Sequence, residues 1–188
     1  MHMLEQRIQQ QFFESADLHN QAAELLSRPV ADAAEALLGC ITSGGKLLVT
    51  GSDVGAALAP VMVAAFMGRF ERERPPLAAL GLHHGGGVTP AHQIRALGQP
   101  GDVLLAIDGG GRPDALADAA AAAHDQSMTV IVLTGTDREA WRERLAETDV
   151  LITVPHERAA RVAETQLLVL HCLCDAVDLH LMGEQEIE

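Results

Sequence analysis

The chain has 188 residues, a formal charge of −13 and 48% apolar residues. That length supports one substantial core, so a single domain over residues 1–188 is expected, with residues 1–43 as helices used in oligomerisation. The acidity excludes nonspecific binding to a nucleic-acid duplex, which needs clustered lysine and arginine. No apolar run approaches the ~18 residues of a membrane helix. Met1–Gln11 is polar and helical in pattern, unlike a signal peptide, and a cytoplasmic protein is expected. Cys40, Cys172 and Cys174 show no metal or redox spacing and are expected to be buried free thiols.

Leu4, Ile8, Phe12, Ala16, Leu18, Ala22, Leu25 and Leu26 recur with a helical period over 3–27. Pro29 sits where a second helix can begin, over 30–42, stopped by Gly44-Gly45. A strand is predicted at 47–50, then a helix over 54–70 that Pro60 bends or breaks. The basic residues of Arg69–Arg74 alternate with glutamates, which reads as a solvated helix end or an intersubunit charge network. Pro75-Pro76 ends that stretch. A short strand follows at 77–82, a glycine loop at 83–90, a short helix at 91–97 and a strand at 103–107. Further helices are predicted at 114–125, 138–146 and 159–182, with strands at 128–133 and 150–154. Continuously apolar strands alternating with helices specify a parallel sheet covered on both faces.

Two of those strands run into glycine turns. Lys46-Leu-Leu-Val-Thr50 leads to Gly51-Ser-Asp-Val-Gly55, and Val103-Leu-Leu-Ala-Ile107 leads to Asp108-Gly-Gly-Gly-Arg112. A strand feeding a helix through glycine exposes backbone N–H groups at the positive end of the helix dipole, which suits an anion. Ligands of such sheets bind beyond the carboxyl ends of the strands. Ser52, Asp53, Gly55, Asp108, Gly109, Gly110, Gly111 and Arg112 are therefore the candidate ligand-binding residues. Only Ser52 supplies a hydroxyl. Neither glycine run has the Gly-x-Gly-x-x-Gly spacing or a following Lys-Ser/Thr, so a nucleotide role is weakly supported, and no cofactor is implied.

Gly51-Ser-Asp-Val-Gly-Ala-Ala57, Gly68-Arg-Phe-Glu-Arg-Glu-Arg-Pro75, Ala96-Leu-Gly-Gln-Pro-Gly-Asp-Val-Leu-Leu-Ala-Ile107 and Met128-Thr-Val-Ile-Val-Leu-Thr-Gly135 occur in that order. In combination they resemble the sugar isomerase (SIS) domain family, in the branch holding phosphoheptose isomerase and its non-enzymatic relative, the DnaA initiator-associating protein DiaA. Leu173-Cys174-Asp175 is more similar to DiaA. The resemblance implies a flavodoxin-like five-stranded parallel sheet with an N-terminal helical extension. It also implies a homotetramer with ligand sites between subunits.

The same resemblance implies lost chemistry. The family's phosphate-contacting serine falls on Gly55, and its second hydroxyl-rich loop on Asp108–Pro113. Its histidine and proton-transferring glutamate fall on Val61 and Ala65, and a glutamine on Ala163. Its final histidine is kept as His171, a candidate catalytic residue that also reads as a core histidine on an apolar helix face. Glu164 keeps an acidic position of the family, and the loop after the second strand looks about a dozen residues shorter than the family's.

Isomerisation through an enediol needs a base and a partner acid, and neither Val61 nor Ala65 transfers a proton. Asp108 would set a carboxylate where a phosphate should sit, a repulsion that Arg112 could partly offset. These losses lead to the expectation of a tetrameric DiaA-type adaptor that binds DnaA and does not isomerise sedoheptulose 7-phosphate. The alternative is a phosphosugar isomerase or sensor with a rearranged site using Asp108, Arg112, His83 and His171. His83 and His84, with His92 nearby, offer imidazoles to a metal, although adjacent loop histidines rarely reach one ion. Leu181 and Met182, beside the acidic end 184–188, form a candidate docking patch for a basic protein partner.

Overall fold

The computed structural model describes residues 2–109, 113–135 and 138–183. Five parallel strands form one sheet in the order β2-β1-β3-β4-β5. They are β1 (Leu47–Ser52), β2 (Ala79–Gly81), β3 (Val103–Asp108), β4 (Thr129–Thr134) and β5 (Val150–Thr153). The helices are α1 (His2–Thr42), α2 (Val54–Met67), α3 (Pro90–Leu97), α4 (Pro113–Asp125), α5 (Arg138–Arg142) and α6 (Ala159–Met182). One core, with Leu37, Met62, Phe66 and Leu173, lies on the face covered by α1, α2 and α6. The other, with Ile94, Leu116 and Trp141, lies beneath α3, α4 and α5. All six residues of β3 are buried, as expected for a strand covered on both faces. The five-stranded flavodoxin-like sheet and its helical extension match the reading of the sequence. No helix among the described residues is long and apolar enough to cross a membrane.

The base of the sheet is fastened by Asp102, buried at the entry to β3. Its carboxylate accepts from the Lys46 backbone N–H at 2.9 Å and the Gln99 N–H at 2.8 Å, and pairs with the Lys46 ammonium. Its carbonyl accepts from Thr129 N–H at 3.1 Å, so one residue registers β1, β3 and β4.

Helix α1 corrects the expectation of two helices. It is one helix of 41 residues and passes through Pro29 without a break. Proline in a helix interior costs ~3 kcal/mol. Leu18, Ala22 and Leu26 before it and Ala33, Leu37 and Cys40 after it are buried on the same side. Burying each leucine gains ~1.5–3 kcal/mol, enough together to hold the axis continuous. The helix is about 61 Å long by its 1.5 Å rise, against a radius of gyration of about 16 Å for a compact chain of this size. Its first turns therefore reach past the body and leave Met3, Leu4, Ile8 and Phe12 exposed. Helix α2 likewise continues through Pro60.

Arg74 is a second correction. It belongs neither to a solvated helix end nor to an intersubunit charge network: its side chain is 1% exposed and pairs within the chain with Asp178, 2% exposed. Its guanidinium also donates to the carbonyls of Ala65 at 2.7 Å and Phe66 at 2.9 Å, closing the last turn of α2. Arg69 and Glu73, by contrast, form an exposed pair. The cysteines divide similarly. Cys40 and Cys174 are buried, whereas Cys172 is exposed, against the expectation for it. Burial, then the nearby Asp102 carboxylate, pushes the Cys40 thiol up to about 11; burial and then Asp178 push Cys174 up to about 12.

Candidate functional site

The chain leaves β1 toward β2 on one side and returns to β3 on the other, so strand order reverses between β1 and β3. In doubly wound sheets this switch point opens a crevice at the carboxyl ends of the strands. Gly51 pairs with Ile107 and Ser52 with Asp108, which sets the two glycine turns side by side.

Interlocking backbone holds them there. A Cβ on Gly55 would lie 2.1 Å from the Ile107 carbonyl oxygen, and one on Gly51 would lie 2.2 Å from the Gly55 carbonyl carbon. A Cβ on Gly109 would lie 2.6 Å from the Ser52 carbonyl oxygen and 2.7 Å from the Val54 nitrogen. These glycines are fixed by packing between turns, whatever else they contact. Asp53, before the first turn of α2, has φ +49° and is exposed, and its side chain makes no capping hydrogen bond. Among the described residues no side chain thus caps the N-terminus of α2, and its dipole favours an anion there.

The polar candidates divide by direction. Asp108 is the last residue of β3 rather than part of the turn, and is completely buried. Its carboxylate accepts from Ser52 Oγ at 3.2 Å, Thr134 Oγ1 at 3.1 Å and Trp141 Nε1 at 3.3 Å. This corrects the expectation of a carboxylate standing in the anion seat: Asp108 braces the turns from beneath, and Ser52 turns its hydroxyl inward to it. Gly110, Gly111 and Arg112 lie outside the described residues. Sequence reasoning missed Gln166, completely buried on α6, whose amide donates to the Asp108 carbonyl at 2.7 Å and the Leu133 carbonyl at 3.3 Å. The available signal was a lone amide between Val162 and Val169 on an apolar helix face.

A cavity of about 420 Å³ adjoins the crevice at the ends of β1 and β2. Thr50, Gly51, Ala56, Ala59, Pro60 and Leu82 form its walls, with His83 and His84 at its rim. Its size suits a small ligand. Val61 and Ala65 are not among its lining residues. His171 stands apart, half-buried, with its ring 5.5 Å from that of Phe70. His92 caps α3, its Nδ1 accepting from Thr89 N–H at 3.2 Å. Among the described residues no three His, Cys, Asp or Glu side chains converge on a metal position. Leu181 packs partly buried against the core, while Met182 is exposed.

Residues 11–135 match the SIS domain family model. The chain is 53% identical over 199 aligned positions to a phosphoheptose isomerase of Methylibium petroleiphilum, covering all of both chains. It is 41% identical to that of Azoarcus sp., covering 96% of this chain and 98% of the relative. The structure of phosphoheptose isomerase GmhA from Neisseria gonorrhoeae superposes with a TM-score of 0.85 at 35% identity, covering 93% of this chain and 98% of that one. These relatives overturn the expectation of a DiaA-type adaptor, and with it the DnaA partner, because likeness along the whole length runs to proteins named as isomerases. The alignment needs more positions than this chain has, so the relative carries residues without a counterpart here. The chain belongs to the SIS domain family, in its phosphoheptose isomerase branch.

Proposed function

We propose that this protein is a phosphosugar isomerase acting on sedoheptulose 7-phosphate through a rearranged site. The observation that carries this reading is the N-terminus of α2 at the switch point, which the Asp53 side chain does not cap, beside a cavity of about 420 Å³. The helix end seats the phosphate through backbone N–H groups, which replaces the missing hydroxyls. The cavity receives the sugar. Likeness to proteins named phosphoheptose isomerase supplies the reaction class. Purified protein is expected to convert sedoheptulose 7-phosphate into the aldose phosphate, followed by NMR. Binding of the sugar phosphate by calorimetry with no conversion would favour the second reading, a sensor, for which Val61 and Ala65 speak because neither side chain ionises.

The assembly is proposed to be a homotetramer. Helix α2 has no charged or polar side chain in 14 residues, yet Val54, Val61 and Met67 are 40% exposed or more. The Leu4, Ile8 and Phe12 stripe of α1 is a second uncovered apolar face. Two self-complementary faces on one chain close into a dihedral tetramer. Light scattering is expected to give four times the 19.9 kDa chain mass. Val61→Asp and Ile8→Asp are each expected to leave dimers, and tetramers surviving both would sink the idea.

A further inference from the structure

We propose that His83 and His84 carry the substrate proton, as the base and acid of the isomerisation. This rests on the isomerase reading above. Among the described residues lining the cavity the two imidazoles are the ionisable side chains, and the rest are apolar apart from Thr50 and the backbone. Gly51, next to last in β1, and Ala56, in the first turn of α2, both line the cavity, so a phosphate seated at the N-terminus of α2 directs the sugar carbons toward the histidine rim.

The backbone that carries the pair is held in place. The Gln93 side-chain amide donates to the His83 carbonyl at 2.6 Å. Directly after His84 the chain reverses, with Gly85 and Val88 exchanging backbone hydrogen bonds at 3.1 and 2.9 Å. Gly86 and Gly87 take φ +57° and +79°, where other residues are strained. The neighbouring His92 is already committed to its helix cap. Imidazole both accepts and donates a proton around neutral pH, the property this reaction requires.

One histidine, neutral, takes a proton from C1 of the ketose. The C1–H electron pair becomes the C1–C2 double bond, and the C2 carbonyl π pair moves to its oxygen. That oxygen takes a proton from the second, protonated histidine, giving the enediol. The hydroxyl at C1 then returns a proton to the second histidine as the C1 carbonyl forms, and C2 takes a proton from the first. Both histidines end as they began, and no electrons leave the sugar.

The test uses the full chain with His83→Ala and His84→Ala made singly. Each is expected to lower kcat by about 10²- to 10³-fold, within the range of general acid–base catalysis. The Kd for sedoheptulose 7-phosphate is expected to stay within about threefold, because the phosphate seat is elsewhere. Exchange of solvent deuterium into the sugar should fall in step, and added imidazole should restore at least about tenfold of the lost rate. Active wild type with variants within about threefold of it overturns this assignment alone. So does a lost rate that imidazole leaves unchanged. Wild type without turnover overturns the isomerase reading together with this assignment.

Discussion

Arg74→Met is expected to destabilise the protein by about 3–5 kcal/mol, the cost of removing one partner from a buried ion pair. The substitution keeps most of the side-chain volume, so the loss is electrostatic. Asp178 would remain buried as an uncompensated carboxylate on α6, one of whose oxygens has no hydrogen-bond partner among the described residues even in the intact protein. The carbonyls of Ala65 and Phe66 would lose their donors at the end of α2. Urea unfolding at fixed protein concentration measures the effect, since the proposed assembly would make the midpoint concentration-dependent. A loss below about 1 kcal/mol would place Arg74 with ordinary surface pairs, whose worth is ~0–1 kcal/mol.

Gly55→Ala is expected to separate the two turns of the site. The added methyl would sit 2.1 Å from the Ile107 carbonyl oxygen, which is strand backbone and cannot rotate away. Either the N-terminus of α2 lifts from the end of β3, or the strand bends, at a cost of about 3 kcal/mol. Affinity for sedoheptulose 7-phosphate should fall at least about tenfold, which is 1.4 kcal/mol of binding. Gly39 provides the contrast, because nothing lies within 4 Å of an added Cβ on that helical residue. Gly39→Ala is expected to stabilise by ~1 kcal/mol. Calorimetry and urea midpoints on both variants check the pair, and Gly55→Ala protein with unchanged binding would show that the seat lies elsewhere.

Legibility followed the range of the forces involved. The apolar runs at 47–50, 103–107 and 128–133 identify buried parallel strands, because period and burial are local properties of the chain. Pro29 was misleading for the complementary reason. A helix stop is a local signal, but the continuity of α1 is decided by Leu18, Leu26 and Leu37 meeting partners distant in sequence, such as Val169 and Leu173. Arg74 reads as surface when only its charged neighbours are considered. It is buried because Asp178 lies 104 residues away and packs over it.

The sequence by itself determined the sheet, its strand-turn-helix units and the placement of glycine where two turns must touch, since each is written in adjacent residues. Family membership was legible from motifs of the same kind. Only the tertiary structure decided where the polar groups point. Asp108 and Ser52 are adjacent to glycine turns in sequence, yet they bond each other, Thr134 and Trp141 beneath the site. His83 and His84 read in sequence as imidazoles of a glycine loop, but only the pairing of β2 with β1 brings them to the rim of a cavity walled by α2. Side-chain direction at a switch point depends on strands that are not neighbours in sequence, and that pairing exists only in the folded chain.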